Sequence, residues 1–369
     1  MARMKLLNTC AEFRHLKQPY HSDMKIKKRS NLFRLPQLAL VLTSATAMGG
    51  EVMTAPAPSP VSTPDWLKVS GYAAAAYTYT DVQNGGNDES LFDAGTPFDA
   101  VKLGLEATQG AFSAYASLFY SPNSDANSFA GGTEAGILDA YATYTTGDFK
   151  ITGGKYLSYL GYEAFDAVNM TQLSYANSTT GGVPAYHTGV KVDYSTEVWG
   201  AGFSLSDSIR GPSFWEGDAD WGNGLGYEAY VVYKGIEKLT LWGGMAYDDT
   251  DGLSDFYSLD VWASYDVSDK LTVAAEIIYA DNTLSGAESA VGGLAFLKYA
   301  FTEKFSTVFR FGIDEVESTG PAVFAPDNYK YTIAPTYAFN EHFLMRAEVS
   351  FTDSDTDVFF SGVQALVKF

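Results

Sequence analysis

Ten bases share one feature: Lys68, Lys102, Lys150, Lys191, Lys234, Lys298, Arg310, Lys330, Arg346 and Lys368 occupy the polar parity of segments in which every second residue is apolar. Nine acids do the same: Glu106, Asp139, Asp193, Glu228, Asp260, Asp266, Glu276, Asp314 and Glu348. In a β-strand such alternation places both sets on one face and the apolar residues on the other. Charges in that number cannot line a dry core, so the face they share must be wet or internally paired. The chemistry on offer is electrostatic, a nearly balanced polar surface that orients and sorts charged solutes. Catalysis has little to work with. Beyond residue 47 the only histidines are His187 and His342, there is no Cys, and neither a Gly-x-Ser-x-Gly elbow nor a metal-ligand spacing occurs. No enzyme activity and no cofactor are expected.

The elements that must carry these residues are sixteen alternating segments, centred on 66–80, 98–109, 111–121, 135–147, 148–157, 185–196, 197–207, 226–236, 237–248, 255–267, 270–281, 289–302, 304–316, 328–340, 342–352 and 356–369. Strands of roughly 10 to 15 residues exceed those of ordinary globular sheets and suit a tilted bilayer crossing. Connections alternate between very short ones and ones of up to about 27 residues. Four short turns repeat a motif, over Tyr233–Leu239, Tyr265–Leu271, Tyr299–Phe305 and Tyr337–Phe343, at spacings of 32, 34 and 38 residues. Tyr ends one strand, an acid and then Lys or His make the turn, and an apolar residue opens the next. A soluble propeller or β-helix would also repeat hairpins, but would not put all long connections on one edge. The expected fold class is all-β, a transmembrane antiparallel β-barrel of about sixteen strands, with short periplasmic turns and long acidic extracellular loops. Closure satisfies every backbone N–H and C=O without water, the condition for spanning lipid.

Composition agrees. The 369 residues are 46% hydrophobic, 15% aromatic and 18% charged, which excludes disorder, and no run of about 18 apolar residues exists for a membrane helix. The first 47 residues hold nine of the 24 Lys and Arg, then an apolar stretch Leu35–Val41 and Ala45-Thr46-Ala47, the layout of a secretory signal cleaved after Ala47. Translation starting at Met24 would give a signal of more usual length. Residues 48–65, rich in Pro and Ala, read as a flexible lead-in, and 66–369 as the barrel. The formal net charge of −20 becomes −27 once the leader is removed, so nucleic acid is no partner.

That negative charge belongs to the long connections, where seventeen acids from Asp88 to Asp355 face a single base, Arg210. One acidic rim would enrich cations at the mouth, or bridge neighbouring surfaces through divalent cations. Asp353, Asp355 and Asp357 alternate like part of a calcium loop, but the Gly and distal Glu of an EF-hand are missing. The chain ends in an alternating strand with a terminal Phe369, the expected signal for the barrel-assembly machinery.

The stretch Gly154-Lys155-Tyr156, Gly161-Tyr162-Glu163, Asn169, Ser174 and Pro184-Ala185-Tyr186-His187-Thr188-Gly189-Val190 resembles the β-barrel porin-2 family of bacterial outer-membrane proteins, over roughly 40 residues. The resemblance implies a channel-like barrel in a Gram-negative outer membrane, without naming a solute. By analogy with sixteen-stranded general porins, the longest connection, 158–184, is expected to fold inward as a constriction. Tyr162, Glu163, Phe165 and Asp166 would then face Lys102, Lys150, Lys191 and Arg310 across the pore. Further pore-lining charges would be Arg346 and the acids Glu106, Asp193, Glu228, Glu276 and Glu348. Expected partners are outer-membrane lipid, the assembly machinery, small hydrophilic solutes, divalent cations at the acidic loops and copies of the chain in a trimer. The competing reading is a non-conducting structural or surface-binding barrel.

Overall fold

The computed structural model describes residues 64–83, 89–92, 98–122, 135–176, 182–209, 224–249, 254–283, 287–317 and 328–369. The expected leader, most of the expected lead-in and more than half of the acids assigned to the long connections, with Arg210, lie outside these residues. All regular structure described is β. In chain order the strands are β1 (Leu67–Val82), β2 (Glu89–Phe92), β3 (Ala100–Gln109), β4 (Phe112–Tyr120), β5 (Ala135–Thr146), β6 (Phe149–Leu157), β7 (Tyr186–Ser195), β8 (Trp199–Ser206), β9 (Gly226–Ile236), β10 (Leu239–Asp248), β11 (Phe256–Ser268), β12 (Leu271–Asp281), β13 (Ser289–Ala300), β14 (Phe305–Glu317), β15 (Asn328–Ala338), β16 (Phe343–Asp353) and β17 (Val358–Lys368).

Sixteen of them form a closed antiparallel wall. β1 closes it by pairing with β3 from Leu67↔Ala107 to Ala74↔Ala100 and with β17 from Tyr72↔Lys368 to Val82↔Val358. β2 was not expected. It pairs only with β1, at Tyr77–Thr80, taking the ladder groups that β3 leaves free above Ala74. Four residues are too few for alternation to reveal a strand, and the sequence pattern places them in a connection.

Alternation divides the two faces of the wall. Along β12, Ile277 is 65% exposed while its neighbour Ile278 is 1% exposed. The same outward exposure of Val261, Leu118, Phe203 and Val231 leaves an apolar band that only lipid can cover. At the short-turn edge this band ends in cross-strand aromatic pairs, Phe112 with Tyr144, Phe149 with Tyr194 and Trp199 with Tyr233, at ring separations of 4.9, 5.0 and 4.4 Å. Amphipathic rings favour this boundary between hydrocarbon and headgroups.

Side chains stand in for missing ladder bonds at the short turns. Asn340 Oδ1 accepts from His342 N at 2.8 Å and Phe343 N at 2.9 Å. Thr302 Oγ1 accepts from Lys304 N and Phe305 N, and Thr196 Oγ1 from Val198 N and Trp199 N. Lys238, at the corresponding point of the β9–β10 turn, takes φ 64°, the left-handed region. The seam is finished by the last residue, with Phe369 N donating to Gly71 O at 3.0 Å and Gly71 N to Phe369 O at 3.1 Å. The Phe369 ring lies over Gly71, where a Cβ would meet it at 2.8 Å.

Candidate functional site

The connection that leaves β6 has no alternation, so its backbone N–H and C=O groups cannot join the ladder and need other partners. Inward-facing side chains of the wall supply them. Ser158 Oγ donates to Glu228 on β9, Gly161 N to Asp260 on β11 at 2.7 Å, and Tyr162 N to Glu276 on β12 at 2.5 Å. Gly161 takes φ 100° at this point, a conformation that a side chain would strain. Further on, Leu173 N and Ser174 N donate to Glu348 on β16 at 2.6 and 3.0 Å. The carbonyls are met by bases: Arg346 donates to Ala167 O and Gln172 O, and Lys330 on β15 to Tyr175 O at 2.9 Å. On the return, Ser258 Oγ donates to Gly182 O at 2.7 Å.

Two charge pairs fix the middle of the segment. Glu163 pairs with Arg310 on β14 and accepts from Gln172 Nε2 and Ala176 N, each at 2.6 Å. Asp166 accepts from Lys102 Nζ on β3 at 2.9 Å and from the Tyr72 hydroxyl on β1 at 3.3 Å, while Lys102 also meets Asp139 at 2.9 Å. Lys102, Arg310 and Glu348 are all buried. Bonds to a charged group are short and strong in such surroundings, and removing one partner would leave the other without compensation.

Rings complete the contact. Tyr159 packs on Tyr230 at 4.6 Å, Tyr162 on Trp262 and Phe296 at 5.4 and 5.7 Å, and Phe165 on Tyr186 at 5.3 Å. Burial pushes the Tyr159 and Tyr175 hydroxyls well above the ordinary phenol range, with the Asp193 charge adding to it for Tyr159 and the Glu163 charge for Tyr175. Tyr159 stays a neutral donor, giving its hydrogen to Asp193 Oδ1 at 2.9 Å.

The glycines of the family-like stretch act through close approach. Gly154 and Gly189 are register partners on β6 and β7. A Cβ on Gly189 would run into Leu205 O and the Ser206 backbone, and one on Gly154 into Ala140 O and the Tyr141 backbone. The root of the connection therefore sits on strands packed more tightly than side chains allow.

Glu163 and Asp166 meet two of the expected bases, Arg310 and Lys102, in direct contact. The rest of the expected set differs. Lys150 is exposed at the start of β6, with Asp193 as its β7 register partner and no hydrogen bond to the connection among the described residues. Lys191 faces the connection through rings instead of an acid, its Nζ lying 4.5 Å from the Tyr156 centroid and 4.8 Å from that of Tyr159. Glu106 is half-buried opposite Lys68. Asp353, Asp355 and Asp357 do not converge: no group of His, Cys, Asp and Glu able to hold a metal exists among the described residues, and Asp357 Oδ1 accepts from Ser354 N. His187 is buried beside Glu228, its Nε2 3.1 Å from Oε2. Sequence reading overlooked Gln172 and the backbone of 173–176, because nothing in an irregular segment marks which of its amides will meet a distant carboxylate.

A closed barrel with an apolar outside and a charged inside defines the class, an outer-membrane β-barrel of the porin kind. The family model described as Putative beta-barrel porin-2, OmpL-like matches residues 66–365, and the chain belongs to that family. Among solved structures it is similar to the anion-selective porin from Comamonas acidovorans, at TM-score 0.62 and 10% identity over 82% of this chain and 99% of that one. It is also similar to OprB of Pseudomonas putida (TM-score 0.63, 10% identity, 82% and 94%) and to OmpF of Salmonella typhi (TM-score 0.61, 13% identity, 82% and 97%). At such identities the likeness is one of fold. No curated protein matches by sequence. The protein is an outer-membrane porin.

Proposed function

We propose that this porin passes small hydrophilic solutes by diffusion, that the connection 158–184 sets its narrowest point, and that the acidic long loops make a cation-enriching outer mouth. The observation that carries this reading is the span of the connection's bonds. They run from Glu228 on β9 to Tyr72 on β1, seven strands apart around a sixteen-strand wall. A segment bonded to opposite sides of a tube narrows it. Charged side chains along such a path set which solutes pass.

A second reading, a barrel closed by its own connection, draws on the near-complete burial of Arg346, Glu348 and Gln364 on the inner face. Planar-bilayer recording of the purified chain separates the two. Steady channels that admit small sugars in liposome swelling support the first. A folded barrel that never conducts establishes the second. The trimer, the assembly machinery and divalent cations at the loops remain partners of the proposal, to be read by native mass, assembly yield and cation titration.

A further inference from the structure

Glycine lays three rings against the inner wall. Gly202 on β8 is the register partner of Tyr230 on β9, which on its other side faces Gly244 on β10. A Cβ on Gly202 would run into the Tyr230 ring, and one on Gly244 into the Trp242 ring. Each ring therefore leans over a position that carries no side chain instead of standing out into the lumen. Trp262 on β11, the register partner of Trp242, continues the series. The planes of Tyr230 and Trp242 differ by 12° with centroids 6.1 Å apart, and those of Trp242 and Trp262 by 7° at 5.8 Å. The result is an aromatic floor across three adjacent strands. Two rings of the connection rise from it, Tyr159 tilted by 56° on Tyr230 and Tyr162 at 65° to Trp262. Trp242 shares a buried cluster with Leu160 and is 8% exposed, whereas Tyr159, Tyr162, Tyr230 and Trp262 are half-buried and keep surface in the lumen.

Polar groups edge this floor. Asp193 on β7 accepts the Tyr159 and Tyr230 hydroxyls on Oδ1 at 2.9 and 3.2 Å, while its Oδ2 accepts no hydrogen bond among the described residues. Lys191 Nζ lies over the Tyr156 and Tyr159 rings and forms no ion pair among the described residues. On β10 and β11 the next inward positions towards the short turns are Thr240 and Ser264, register partners and both half-buried.

We propose that the floor and its two flanks are a sugar-binding track, on which the pyranose rings of neutral saccharides stack as they pass the constriction. The inference deepens the porin reading and rests on it. The face of a pyranose is a layer of C–H groups with partial positive charge, which suits the negative face of an aromatic ring. Its hydroxyls project sideways, towards groups such as Asp193 Oδ2, Lys191 Nζ, Thr240 and Ser264. Aromatic surface with a few placed polar groups is the usual make-up of a site for a small polar ligand, and the lining of a pore at its narrow point decides which solutes it favours.

The test is the potassium chloride current of the full chain in planar bilayers, titrated with cellotriose and, separately, with a polyethylene glycol of the same hydrodynamic size. The expected result is a block that saturates with cellotriose, against a shallow, non-saturating fall with the polymer, which fills volume but has no pyranose face. Tyr230→Leu with Trp262→Leu should raise the half-blocking concentration of cellotriose about tenfold, and Tyr230→Phe with Trp262→Phe should keep it near wild type. A wild-type channel that trisaccharide and polymer block alike overturns the track, as does an unchanged half-blocking concentration in the leucine variant, and both results leave the porin reading intact. The comparison of the two solutes needs no variant, so it decides the question even where the leucine variant does not fold. A wild-type barrel that never conducts overturns both.

Discussion

Asp166 and Lys102 meet at 2.9 Å inside the barrel, one on an irregular connection and the other on the wall strand β3, 64 positions earlier in the chain. The pair joins two kinds of structure that obey different rules. Lys102 is inward because of strand parity, whereas Asp166 is where it is because the connection has been held by Glu228, Asp260 and Glu276 before reaching it.

Asp166→Asn should loosen the connection without breaking the barrel. Lys102 keeps Asp139 as a partner, so the loss is on the order of 1.5–3 kcal/mol, the range for one hydrogen bond to a charged group. Single-channel recordings should show larger and noisier openings than wild type, and unaltered current traces would contradict the proposed constriction.

Reversing both acids, Glu163→Lys with Asp166→Lys, should have a stronger effect. Arg310 and Lys102 would then each face a like charge where each now has a partner. The connection is expected to leave the wall, raising conductance and moving selectivity towards anions. The check is the reversal potential in a salt gradient.

Gly189→Ala should impair folding, because the added Cβ meets backbone of β8 that cannot yield. Gly153→Ala is its control, since the Cβ there finds only the flexible Val190 side chain at 3.9 Å and Gly189 O at 4.0 Å. Folded yield, read by heat-modifiable gel mobility, should collapse for the first and stay near wild type for the second.

Asn340→Ala removes the acceptor of two turn amides and should destabilise the β15–β16 hairpin by about 1 kcal/mol. Urea unfolding in detergent reads that shift. A midpoint identical to wild type would mean that water replaces the side chain there at no cost.

Deleting Phe369 should lower the yield of assembled barrel, as it removes two seam bonds and the ring over Gly71. Phe369→Ala keeps the backbone bonds and should retain more of the yield. Equal yields for all three chains in an assembly assay would remove the terminal residue from both roles.

How much of this was legible beforehand differs by element. The sixteen wall strands, their inward and outward faces and the turn motif all follow from alternation, which is a local property: a residue's face depends on its parity within its own strand. Lys102, Arg310, Glu228, Glu276 and Glu348 are inward on that ground alone. β2 escaped because four residues carry no period. The four-turn repeat was visible as spacing, yet the role of Asn340 and Thr302 as acceptors for the turn amides emerged only with the backbone in view.

The connection after β6 is the opposite case. Its lack of alternation marks it as irregular, and analogy with sixteen-stranded general porins suggests that it folds inward, but the partners of Glu163 and Asp166 could not be read from their own neighbourhood. Those partners lie 147 and 64 positions away in the chain, brought close by closure of the wall. The sequence by itself determined a membrane-spanning barrel with a charged inside, since period-two patterning and the cost of charge in lipid leave no other arrangement. Tertiary structure decided which of those charges are consumed in holding the connection and which partner each one meets. Pairing of that kind depends on distance in space, and no local pattern encodes it.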